Sequence, residues 1–80
     1  MADLTPRERE VVLLIGGMGL SYRAAARHMG HWFQGKRTIS EGTVRQYAVR
    51  IAKKVGSDRP PRRALWEFYS DHRDEFDSAA

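Results

Sequence analysis

Ile39-Ser40-Glu41-Gly42-Thr43-Val44-Arg45-Gln46-Tyr47-Ala48-Val49-Arg50-Ile51-Ala52-Lys53-Lys54-Val55-Gly56 is the stretch on which the fold turns. Ser40 is suited to capping a helix, and Glu41 sits at the positive end of the helix dipole. Val44, Ala48, Ile51 and Val55 recur at helical spacing, and Gly56 supplies a stop. The spacing predicts a helix over about 41–55. At 3.6 residues per turn, Gly42, Gln46, Val49 and Lys53 fall opposite the apolar stripe, with Arg45 and Arg50 flanking them. A helix with one buried side and a Gln/Arg/Lys side opposite presents hydrogen-bonding groups outward. The wide groove of B-form DNA admits one helix, and Arg and Gln make bidentate contacts to guanine and adenine edges. The residue types therefore point to Arg45 and Gln46 at bases, with Val49 in apolar contact, for instance with a thymine methyl. Ser40, Thr43, Arg50 and Lys53 suit the sugar–phosphate backbone. The plainer alternative is a charged helix that binds nothing.

Working outward, Thr5-Pro6-Arg7-Glu8 has the form of a capping box with proline at the first helical position. Val11, Val12, Leu14, Ile15 and Met18 follow, with Gly16, Gly17 and Gly19 loosening the end, so a helix is expected from about 6 to 17. Ser21 then caps a short helix of about two turns with Tyr22, Ala25, Ala26 and Met29 on one side, and Gly30 as its stop. His31 to Thr38 form a loop, in which Lys36 and Arg37 are candidates for the phosphate backbone; the alternative is a tolerated surface insertion. Pro60 and Pro61 stiffen the turn before a last helix of about 61–76, which carries Leu65, Phe68, Tyr69, His72 and Phe76 along one side with Trp66 adjacent.

Charge is unevenly laid out. The 80 residues carry a net charge of +4, but residues 21–63 hold eleven Lys/Arg against Glu41 and Asp58, whereas residues 67–80 hold Arg73 against five acids. A basic middle attracts polyanions by counterion release, although a solvated surface would look the same on charge alone. The length suits one domain, residues 1–80, with little room for a buried catalytic cleft. Without cysteine, neither disulfides nor thiolate zinc sites are available. The longest apolar run, Val11 to Ile15, is too short for a membrane span, and residues 1–10 do not form a secretory signal.

Three stretches carry a family resemblance. Leu4-Thr5-Pro6-Arg7-Glu8-Arg9-Glu10-Val11-Val12 closely resembles the opening of the LuxR-type (GerE-like) DNA-binding domain. Gly19-Leu20-Ser21 with Ala25, Ala26 and Met29 is similar to its second helix. Ile39 to Arg45 and Lys54-Val55-Gly56 look like the two ends of its recognition helix. The resemblance covers about residues 4–70. It implies an all-α, four-helix helix-turn-helix domain of a transcription regulator that binds DNA as a dimer, often through the last helix. The base-reading positions map onto Arg45, Gln46 and Val49, and the phosphate contacts onto Thr43 and Lys53 or Lys54. Three departures stand out: about eight extra residues in an extended turn at 31–38, Val49 in place of a basic reader, and Ala25 in place of a larger aliphatic residue. Trp32 or Phe33 is expected to fill the space left at Ala25.

Other constellations have ordinary explanations. His28 and His31 have no third ligand, and Ser21, Ser40, Asp71 and His72 lack a nucleophile elbow or oxyanion loop. No enzyme activity, metal or cofactor is expected. Leu65, Phe68, Tyr69 and Phe76 either close the domain or form a homodimer interface. The reading is thus a sequence-specific double-stranded-DNA-binding transcription regulator, cytoplasmic, nucleoid-associated or phage-encoded, with no sensor domain ahead of Leu4. The alternatives are a promoter-reading domain like that of sigma factors, whose DNA helix shares the Ser40-Glu41-Gly42-Thr43-Val44 wording and which would contact RNA polymerase; a protein-interaction adaptor; and a DNA-handling subunit of a phage machine.

Overall fold

The computed structural model describes residues 4–32 and 39–78, and every regular element among them is helical. Helix α1 runs Pro6–Val11 and continues without a break as a π-helical segment, Val12–Gly17. Helix α2 is Tyr22–Trp32, α3 is Glu41–Lys54, α4 is Pro61–Asp71 and α5 is Arg73–Ser78. The all-α helix-turn-helix expectation holds.

The capping chemistry is as the residues dictate. Thr5 Oγ1 accepts from the Glu8 N–H at 3.1 Å, and Glu8 Oε1 accepts from the Thr5 N–H at 2.9 Å, closing the box. Ser21 Oγ accepts from the Ala24 N–H at 3.0 Å, and Ser40 Oγ from the Thr43 N–H at 3.1 Å. Helix α3 ends where Gly56 adopts φ +73° and the Ser57 N–H reaches back to the Ala52 carbonyl at 3.0 Å, a Schellman closure that a Cβ would strain.

Three boundaries depart from expectation. The first helix covers the expected range but widens from Val12, where the Met18 N–H bonds to the Leu13 carbonyl five residues back at 2.8 Å. Apolar spacing over two turns does not separate a four-residue register from a five-residue one. Gly30 does not stop α2, which runs on to Trp32. A glycine inside a helix costs only about 1 kcal/mol, so it permits an ending without imposing one. The last helix is broken at His72 (φ −121°, ψ 28°), whose ring Nδ1–H donates to the Phe68 carbonyl at 3.0 Å. The break lets α5 turn back, so that Phe76 meets Phe68 edge-on at 6.1 Å and Tyr69 at 5.5 Å between ring centroids.

The core gathers Val11, Val12, Leu14, Ile15, Ala25, Ala26, Met29, Val44, Ala48, Ile51, Leu65 and Phe76 from all five helices. The π segment packs closest to α4, because Gly16 lets the backbones touch. A Cβ there would lie 2.5 Å from the Leu65 carbonyl oxygen. Among the described residues one charged side chain is buried: Glu8, 2% exposed, holds Lys54 Nζ at 2.7 Å and so ties the start of α1 to the end of α3. The expected filling of the space at Ala25 by Trp32 or Phe33 concerns side chains outside those described; Ala25 itself is fully buried.

Candidate nucleic-acid interface

The outward side of α3 is built by subtraction. Burying Val44, Ala48, Ile51 and Ala52 fixes the helix's rotation, and Arg45, Gln46, Val49, Arg50 and Lys53 are left exposed on the other side. These five line one shallow depression on the surface. Val49 is 39% exposed and so is available for an apolar contact to an outside partner. At the N-terminal end, Ser40 and Thr43 are exposed, with their hydroxyls 2.9 Å apart. Free amide groups of the first turn and two hydroxyls make this end suited to phosphate oxygen.

Arginine orientation is set by aromatic neighbours. The Arg45 guanidinium lies 5.5 Å from the centroid of Tyr22, at the start of α2, and that of Arg50 lies 5.8 Å from Tyr47. Such contacts hold a guanidinium in place while leaving its charge unneutralised. Among the described residues, no ion pair involves Arg45, Arg50 or Lys53.

Lys54 is different, because the fold gives its charge a partner. Its ammonium lies 2.7 Å from the buried Glu8 carboxylate, while the lysine side chain remains 37% exposed. Burial by itself would raise the Glu8 pKa. The Lys54 hydrogen bond, the Thr5 N–H and the Lys54 charge outweigh burial and hold the carboxyl below its ordinary range. Lys36 and Arg37 lie outside the described residues.

The residues expected at a dimer interface pack within the chain itself. Leu65 is fully buried and Phe76 only 7% exposed, while Phe68 and Tyr69 pack against the same core. The chain's own interior uses these side chains because the bend at His72 folds α5 back over them. The large apolar residue that α4 leaves outward is Trp66, 55% exposed. Arg62 is a residue the sequence reading missed. It stands in the first turn of α4, yet its Nη1–H donates to the Leu20 carbonyl at 3.0 Å and its guanidinium lies 5.5 Å from the Tyr22 centroid. Nothing in local spacing signals this, since Arg62 stands 42 positions from Leu20 and 40 from Tyr22.

A family model described as Sigma-70, region 4 matches residues 1–55, which contain α1, α2 and α3. No curated protein and no solved structure matches the chain. The helix-turn-helix expectation therefore stands on a non-enzymatic, DNA-binding family, reached through sigma factors rather than the LuxR type. No described helix is long and apolar enough to cross a membrane.

Proposed function

The chain belongs to the sigma-70 region 4 family, and from that premise we propose that it reads double-stranded promoter DNA as a transcription factor. Helix α3 enters the major groove. Arg45 and Gln46 address base edges, and Val49 makes the apolar contact. Ser40, Thr43, Arg50 and Lys53 hold the flanking phosphates. The observation that carries this reading is the exposed Arg45-Gln46-Val49 surface on a helix whose opposite side is locked into the core.

Between a self-sufficient regulator and a promoter reader that works with RNA polymerase, the second is favoured. The family match supports it, and of the side chains that would have served a dimer Leu65 and Phe76 are buried and Phe68 and Tyr69 half-buried against the chain's own core. Selection of random duplexes by the purified chain, followed by mobility shift with and without RNA polymerase, tests both. A selected sequence whose binding is tightened by polymerase supports the proposal. Tight binding to a palindrome by the chain alone would favour a dimeric regulator. Absence of duplex binding at low salt, with or without polymerase, would refute DNA reading and favour an adaptor.

A further inference from the structure

We infer that Arg62 is a DNA-phosphate ligand, contributed by a helix outside the family-matched segment and held beside the reading surface of α3. The inference rests on the proposed DNA-reading role and deepens it. The guanidinium groups of Arg45 and Arg62 each lie 5.5 Å from the centroid of the Tyr22 ring, so they are at most about 11 Å apart. One belongs to α3 and the other to α4, and a single tyrosine at the start of α2 is their shared platform. Two groups within that limit can reach the same few nucleotides, given about 3.4 Å of helix axis per phosphate on one strand.

The surroundings of Arg62 argue for an outside anion. Within the same stretch, Arg59 Nε and Arg63 Nε each lie 3.3 Å from Glu67 Oε1, so both arginines are partnered by a carboxylate. Arg62 has no acid partner among the described residues; its contacts are a neutral carbonyl and a neutral ring. Neutral contacts orient the guanidinium without discharging it. The Leu20 carbonyl occupies Nη1, and the exposed side chain keeps donors for a phosphate oxygen. The contact to Leu20 also fixes α4 against the connection between the π segment and α2, so the charge is pre-positioned rather than carried on a loose side chain.

A purely structural pin would make the same two contacts, and the experiment must separate the two roles. Arg62→Gln keeps an N–H donor for the Leu20 carbonyl and removes the charge. Binding of the full chain is measured on its selected duplex and on a scrambled duplex across a series of KCl concentrations. The expected result is a log Kd–log[salt] slope smaller by about 0.9 on both duplexes, with discrimination between them unchanged and the melting temperature held. A slope equal to that of the unaltered chain overturns the inference. Arg63→Gln is the control, expected to leave the slope unchanged because its guanidinium is turned to Glu67 rather than to a phosphate. If Arg62→Gln lowers the melting temperature, Arg62→Lys decides: a retained slope supports the phosphate contact, and a slope reduced as far as the glutamine variant's overturns it. Arg45→Ala/Gln46→Ala on the same duplexes reports separately on the underlying reading. Lost discrimination in that variant with an unchanged Arg62→Gln slope removes the Arg62 assignment alone. Retained discrimination removes the proposed function itself.

Discussion

Helices α3 and α4 are both amphipathic, both basic near one end and both packed against the first helix, yet they dispose of their side chains in opposite ways. Helix α3 turns small and branched residues inward and leaves Arg45, Arg50 and Lys53 outside any ion pair among the described residues. Around the start of α4, Arg59 and Arg63 are tied to Glu67, and the helix's apolar side chains Leu65, Phe68 and Tyr69 go into the core. Net charge already separates the two helices, with four Lys/Arg against Glu41 in α3 (+3) and Arg62 and Arg63 against Glu67 and Asp71 in α4 (zero), and the pairing adds to that difference. On the proposed reading Arg45, Arg50 and Lys53 meet an external polyanion, whereas Arg59 and Arg63, matched to the Glu67 carboxylate, belong to a helix that completes the fold. Arg62 is the exception that links them: it belongs to α4 by sequence and to the α3 surface by position.

The contrast is broken or sharpened most strongly by truncating one buried and one outward aliphatic side chain. Leu65→Ala is expected to lose about 2–5 kcal/mol, read by denaturant unfolding, because the side chain is fully enclosed. Val49→Ala should stay within about 0.5 kcal/mol in the same assay while weakening duplex binding. A large stability loss at Val49 would mean that the α3 surface is part of the core after all.

The adjacent lysines should behave as a pair of opposites. Lys54→Met leaves the buried Glu8 carboxylate without its ammonium and is expected to cost about 1–3 kcal/mol of stability, with the salt slope of DNA binding unchanged. Lys53→Met should hold stability within about 0.5 kcal/mol and reduce the slope by about 0.9. Reversed outcomes would exchange their roles.

Acid should expose the same ion pair. Folding favours the ionised Glu8, since its pKa is depressed in the folded chain. The stabilisation is therefore complete above the unfolded value near 4.5 and drains away as pH falls through the lower folded value. Melting temperature followed against pH should fall below pH ~4.5 in the unaltered chain, and Glu8→Gln should flatten that decline. An unchanged decline would place the acid sensitivity elsewhere. The smallest effect is expected for Arg63→Ala, whose exposed pairing with Glu67 contributes no more than about 0.5 kcal/mol.

Local chemistry made much of this legible from sequence. Thr5/Glu8, Ser21 and Ser40 cap because a side-chain oxygen three residues before a free N–H satisfies it, whatever the rest of the chain does. The outward side of α3 follows from the 3.6-residue period once Val44, Ala48 and Ile51 are taken as buried. What escaped was non-local. The Lys54–Glu8 pair spans 46 positions and the Arg62–Leu20 bond 42, and neither leaves a trace in spacing. The bend at His72 escaped for another reason: the aromatic pattern of residues 65–76 reads equally well as one long helix, and only the return of Phe76 onto Phe68 and Tyr69 shows what the bend accomplishes.

Under the proposed function, the outward side of α3 discriminates between base sequences in the major groove. The most direct test of this compares the unaltered chain and Arg45→Ala/Gln46→Ala on a selected and a scrambled duplex at fixed salt. Each bidentate base contact supplies about 1–3 kcal/mol, so the account predicts a loss of discrimination on the order of tenfold to more than a thousandfold, with residual non-specific binding and an unchanged melting temperature. A variant that still prefers its selected duplex as strongly as the unaltered chain would contradict it.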